Sequence, residues 1–141
     1  MEILKIKTEK RRLGSFGEDA AAKLLRKKGY KILERGFVAL GHEIDIIAEN
    51  REYLIFVEVK TRTSGSIDPR EPRPASAVGP EKQRSIISSA KFYPGMRGKE
   101  KKKRFDVIEV YASTDKKGKY RVDEVKHLES AFNYNTAYKT V

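Results

Sequence analysis

No cysteine occurs in the 141 residues, which removes disulfide cross-links and thiolate metal sites and fits a reducing compartment. Long apolar runs are missing too. The longest unbroken one, Tyr53 to Val57, is far short of the ~20 residues a membrane-spanning helix needs. The opening MEILKIKTEKRR lacks the apolar core of a signal peptide. The expectation is a cytoplasmic protein with no membrane partner. Acidic residues are in short supply: 20 Asp and Glu stand against 31 Lys and Arg, a net charge of +11. The pI is near 9.8. That excess points to a polyanionic partner, of which nucleic acid is the commonest, although a lysine-rich surface also serves solubility. The length suits one domain with a true core.

What is present is organised around Glu43 to Lys60. Ile44–Ala48 and Tyr53–Val59 are apolar runs with strand character. The polar ENRE between them has Asn50 well placed for a turn, so the stretch reads as a β-hairpin. Alternation puts Leu54, Phe56, Glu58 and Lys60 on one face of the second strand, and Glu43, Asp45 and Ile47 on one face of the first. If Ala48 or Asn50 pairs with Tyr53, Asp45 and Glu58 share a face, opposite or one diagonal step apart. That face is apolar toward the turn and charged at its open end, as in a sheet covered on both sides with a notch at one end.

Crowded carboxylates raise one another's pKa or recruit a cation. Oxygen ligands on a strand pair suit Mg²⁺ or Mn²⁺. A lysine two residues past a metal-binding glutamate points into the same site, where it can hold or deprotonate a water or steady a phosphoryl transition state. The combination suits phosphodiester hydrolysis.

Asp45 followed by Glu58-Val59-Lys60 resembles the PD-(D/E)xK nuclease motif, with Ile44 in place of the proline. GSFGEDAAAKLLRKKGYKIL, EIDIIA, FVEVKTR, AVGPEKQ and RFDVIEV, in that order from about Gly14 to Phe132, resemble the YraN family. Those are small bacterial proteins regarded as predicted endonucleases, distantly similar to archaeal Holliday junction resolvases. The resemblance implies a three-layer, restriction-endonuclease-like α/β fold with a central mixed β-sheet flanked by helices. The element order α-β-β-β-α-β-β fits it. Resolvase-like enzymes commonly pair two active sites, so a homodimer is a further expectation.

Around the hairpin, residues 1–12 read as a loose basic arm. A helix beginning near Leu13 to Phe16 carries a stripe of Phe16, Ala20 and Leu24 and ends at Gly29. Glu18 reads alone as a favourable acid near a helix start; the resemblance places it in the metal site. Tyr30–Val38 is the first strand, and His42 is a turn residue without assigned chemistry. Residues 63–80 hold four of the five prolines and read as a mobile loop, a candidate flap over nucleic acid. A helix over Glu81–Tyr93 follows. RGKEKKKR (97–104) reads as an exposed basic loop, Phe105–Tyr111 and Tyr120–Val125 as strands, and HLESAFNYN as a short terminal helix.

The combined expectation is an endonuclease dependent on Mg²⁺ or Mn²⁺ and acting on DNA, with RNA still open. Asp45, Glu58 and the Val59 carbonyl would hold the metal, and Glu18 would join them. Lys60 would position or activate water, with Glu43 behind the ligands. Arg62, Lys82, Gln83, Lys101, Lys102 and Lys103 are candidate nucleic-acid contacts, each equally readable as solvated surface. A nucleic-acid-binding protein without catalysis would keep the basic surface and need no divalent ion. A basic accessory protein would leave the acids pointing apart.

Overall fold

The computed structural model describes residues 2–64, 78–96 and 101–138. Helix α1 (Glu2–Lys27) leads into strands β1 (Lys31–Ala39), β2 (His42–Glu49) and β3 (Tyr53–Thr63). Helix α2 (Pro80–Ala90) is followed by β4 (Lys102–Thr114), β5 (Tyr120–Phe132) and α3 (Tyr134–Tyr138). The strands lie in chain order, β1-β2-β3-β4-β5. Only β3 and β4 are parallel. The sheet is therefore mixed, and its one parallel pair is the one whose connection carries a helix, as parallel strands require.

Each face of the sheet has its own core. Ala21, Ala22 and Leu25 of α1 meet Ile46, Ala48, Ile55, Val57, Ile108 and Val110. Ile86, Ile87 and Ala90 of α2, with Ala137 of α3, meet Ile47, Leu54, Phe56, Val107 and Phe132 on the other side. This is the three-layer arrangement expected. The central strands read as near-continuous apolar runs because both faces are covered. Each fully buried Leu, Ile or Phe among them contributes ~1.5–3 kcal/mol.

α1 comes close to the sheet because Gly17 has no side chain. A Cβ there would stand 1.8 Å from Thr61 Oγ1. Its backbone stays helical, and the first positive-φ glycine is Gly29 (φ 93°), where the helix ends. The expected loose arm is helical from Glu2. Strong helix formers with no proline propagate through 2–12, and neither Gly14 nor Gly17 adopts the left-handed turn that would interrupt them.

Three further expectations are corrected. Arg104 is not part of an exposed loop. It is buried, bonds both Asp106 oxygens and the Tyr30 hydroxyl, and stacks over Tyr53 at 4.5 Å. β5 runs to Phe132, past the expected Val125, and the terminal helix starts only at Tyr134. Its pairing shifts between Phe105 and Val107, where Asp106 accepts from Ser130 N–H and His127 Nε2. Burial alone would raise the Asp106 pKa, but His127, Arg104 and Ser130 together hold it below the usual range. α2 ends at Ala90, short of Tyr93. The mobile-loop expectation falls mostly on 65–77, outside the described residues; Val78 beyond them is buried in the α2-side core.

Candidate active site

The β2–β3 turn is built by Asn50, whose side-chain oxygen accepts from Glu52 N–H and Tyr53 N–H at 2.9 and 2.7 Å. Asn50 N–H also bonds the Tyr53 carbonyl at 3.0 Å. This is the second of the two registers expected. The ladder runs from Glu49↔Leu54 to Ile46↔Val57 and, continued by one residue, sets Asp45 across from Glu58. There the backbone pairing gives way to a side-chain bond: Asp45 Oδ2 accepts the Val59 N–H at 2.7 Å.

The regular pleat also breaks at Asp45. Ile44 packs with Ile47 in the α2-side core, whereas Ile46 packs on the α1 side. Simple alternation groups Ile44 with Ile46. Across β1, Gly36 has a φ of 67° between the pairs Arg35↔Ile46 and Phe37↔Ile44. A Cβ on Gly36 would lie 3.3 Å from Glu43 Oε1, so the bare glycine leaves room for the Glu43 carboxylate.

The acids consequently do not line one face. Glu18 of α1, Glu43 and Asp45 each offer a carboxylate oxygen, all within 4.8 Å of one another. That trio does not include Glu58. Glu58 meets Lys60 at 3.6 Å and Lys82 of α2 at 3.9 Å. Asp45 and Glu58 still feel each other. Burial first, then the Glu58 charge, pushes the Asp45 pKa up to about 7 against the pull of the Val59 N–H. Burial also raises Glu58, opposed by Lys82 and Lys60.

Arg35 orients Glu18. Its Nε donates to Glu18 Oε1 and its Nη2 to Asp19 Oδ1, both at 2.8 Å. Those acids, Asp19 foremost, raise its pKa further. A groove of about 570 Å³ opens beside the acids, and its lining includes Lys10, Glu18, Asp45, Val59, Thr61 and Arg62.

Of the expected site residues, the structure gathers Glu18, Asp45, Glu58, Lys60, Val59 and Arg62 at this end of the sheet. Glu43, expected behind Asp45 and Glu58, stands level with Glu18 and Asp45 in the acidic trio. Lys82 reaches the site through Glu58. Gln83 turns back, its Nε2 donating to the Val78 carbonyl at 2.8 Å. Lys101 pairs with Glu49 at 2.9 Å and Lys102 with Glu52 at 3.2 Å. Lys102 is level with Tyr53 and Lys103 with Leu54. At ~3.3 Å per residue, Lys102 lies ~16 Å along the strand from the level of Glu58. Arg35 and Lys10 were not singled out in the sequence. Arg35 is marked only by its three-dimensional meeting with Glu18, and Lys10 only by the helical state of the arm.

The fold and this strand-end constellation define a three-layer α/β protein with a restriction-endonuclease-like core. The model of the uncharacterised protein family UPF0102 matches residues 17–110. A UPF0102 protein of Caldanaerobacter subterraneus subsp. tengcongensis is 42% identical over 127 residues, covering 89% of this chain and 98% of that protein. UPF0102 proteins of Chlorobium phaeobacteroides and Prosthecochloris aestuarii are 42% and 43% identical over 121 residues, covering 85% of this chain and 93% and 92% of those proteins. The chain belongs to the UPF0102 family, also called the YraN family.

Proposed function

We propose that this chain is a divalent-metal-dependent endonuclease that hydrolyses phosphodiester bonds in DNA. The observation that carries the reading is the convergence of Glu18, Glu43 and Asp45 from a helix and a strand end, within 4.8 Å, beside Glu58 and Lys60. The accessory-protein reading expects those acids to point apart, and they do not.

The donor set fits Mg²⁺ or Mn²⁺. It is all oxygen, and Asp45 is raised to about 7 by burial and then by neighbouring negative charge, which a cation would offset. Asp45, Glu18 and Glu43 would hold the ion, with Glu58 joining by leaving one of its lysines. When bound, such an ion offsets charge on a phosphoryl group and lowers the pKa of water. The protein's own contribution is placement. The Val59 N–H fixes one Asp45 oxygen, Arg35 fixes Glu18, and Lys60 holds a water or takes up developing negative charge. Arg62, in the same groove, meets a neighbouring phosphate.

The test is incubation of labelled duplex, single strand, flap and four-way junction with Mg²⁺ or Mn²⁺, wild type beside Asp45→Ala. Cutting by wild type alone supports the reading, and its preferred substrate narrows the role. Equal cutting by Asp45→Ala overturns it. One observation favours a second reading, a nucleic-acid-binding protein without catalysis: Glu58 is paired with two lysines, Lys60 and Lys82. Binding in EDTA with no cutting by either protein would select it.

A further inference from the structure

Only the C-terminal half of α1 is buried against the sheet. Gly17, Ala21, Ala22 and Leu25 are buried, whereas residues 2–12 are exposed. One seam runs the length of the helix at three- and four-residue spacing, through Ile6, Lys10, Leu13, Gly17 and Ala21. From Gly17 onward it meets the sheet. Before Gly17 it roofs a groove. The cavity beside Asp45 and a neighbouring one of about 370 Å³ share Lys10, Leu13 and Thr63 in their linings, so the groove continues from the carboxylates along the underside of the arm.

The arm carries Lys5, Lys7, Lys10, Arg11 and Arg12 against Glu2 and Glu9. Among the described residues, neither Lys10 nor Arg62 makes an ion pair, unlike Lys101 and Lys102, which acids neutralise. The groove thus has carboxylates at one end and unneutralised cations beside them. The match to the family model begins at Gly17, past the arm.

We propose that the N-terminal arm of α1 is a nucleic-acid-binding surface whose groove takes the sugar–phosphate backbone of one strand leading away from the carboxylates. Lys10 and Arg62 meet phosphates inside the groove, and Lys5 and Lys7 meet them along its rim. At 1.5 Å per residue, Glu2–Leu13 spans ~18 Å, the axial rise of roughly five base pairs at ~3.4 Å each. The placement of the scissile bond rests on the nuclease reading, but the contact itself needs no cleavage. Ile3, Leu4 and Ile6 are 69%, 66% and 52% exposed, which makes a second copy of the chain the rival occupant. Net positive charge on both arms opposes that pairing.

The test is fluorescence anisotropy of a labelled duplex with the full chain in EDTA, over a series of KCl concentrations. Lys10→Glu is compared with Lys116→Glu, and the double variant Lys5→Glu/Lys7→Glu with Lys116→Glu/Lys117→Glu, equal charge changes in the exposed β4–β5 turn. The arm residues are exposed, so the variants should fold, and circular dichroism verifies it. For each phosphate that a variant no longer neutralises, the slope of log affinity against log salt should shrink by about one, with affinity falling several-fold. Arm variants indistinguishable from their turn controls, or no duplex binding by wild type, overturn the proposal. So does sedimentation showing that Ile3→Ser/Ile6→Ser splits a dimer while the charge variants leave the slope unmoved. A wild type that binds through the arm yet never cuts with any metal removes the nuclease reading and leaves this one standing.

Discussion

Asp45 Oδ2 accepts the Val59 amide hydrogen at 2.7 Å, one step past the last backbone pair of the β2–β3 ladder, Ile46↔Val57. A side chain thus takes over from the main chain where the strands part. The bond fixes the carboxylate and leaves its other oxygen for a cation. Asp45 is the residue on which most of the following expectations turn.

Metal affinity should depend on pH. Burial and the Glu58 charge push Asp45 up to about 7, and a ligand must be ionised to bind. The affinity for Mn²⁺, titrated calorimetrically, should rise about tenfold per pH unit up to 7 and level off above it. An affinity unchanged from pH 5.5 to 8.5 would remove Asp45 from the ligand set.

Without metal, the site should cost stability at neutral pH. The folded pKa of Asp45 lies above the unfolded carboxylate value, so ionisation is harder in the folded state. The penalty is absent near pH 4, grows as pH rises toward 7, and is complete above it. Asp45→Asn in EDTA should therefore be more stable than wild type at pH 8, by up to ~4 kcal/mol for a shift from 3.8 to about 7, with the gap closing at pH 4. Adding Mn²⁺ should raise the Tm of wild type only. A Tm for Asp45→Asn below wild type at pH 8 would contradict the expectation.

Arg35 should act through Glu18. Arg35→Ala frees that carboxylate and should weaken Mn²⁺ binding by ~10-fold or more, as loss of a ligand's supporting partner does. The Tm should move little, because a half-exposed ion pair contributes at most ~1 kcal/mol. Arg35→Lys should recover only part of the affinity, since one ammonium cannot reproduce the fork across Glu18 and Asp19. A large Tm loss with unchanged affinity would assign Arg35 to the fold alone.

Two glycines of α1 should respond oppositely to alanine. Gly14 has nothing within 4 Å of a new Cβ, so Gly14→Ala should stabilise by ~0.5–1 kcal/mol through helix propensity. Gly17→Ala drives a methyl into Thr61 and should destabilise by ~1–3 kcal/mol. Thr61→Gly in the same chain should restore part of the loss. Urea unfolding of the four proteins checks the pattern, and equal effects at both glycines would refute the close approach.

The three layers were legible because covered strands must be apolar on both faces, as Tyr53–Val57 is. The hairpin register was legible to within two alternatives, and Asn50 selects between them through bonds no pattern encodes. The single acidic face was not correct, because alternation assumes an unbroken pleat and Gly36 and Asp45 break it. Arg104 was misread as surface because a basic run gives no sign of which member finds a buried aspartate. Its partners, Tyr30 and Asp106, are 74 and 2 residues away. The helical arm was hidden because residues 2–12 are mostly polar and basic, and composition alone does not separate a solvated helix from a loose arm.

The lone parallel pair also sets the order in which the chain can assemble during synthesis. β1, β2 and β3 can zip into a meander as soon as they emerge, but 38 residues separate Thr63 from the start of β4 at Lys102. At 5–20 residues per second, β3 waits ~2–8 s beside the ribosome with one edge unpaired. That edge belongs to one of the most apolar segments of the chain, the kind that recruits another strand in register. The moment of greatest aggregation risk for this protein thus falls before its second helix has docked.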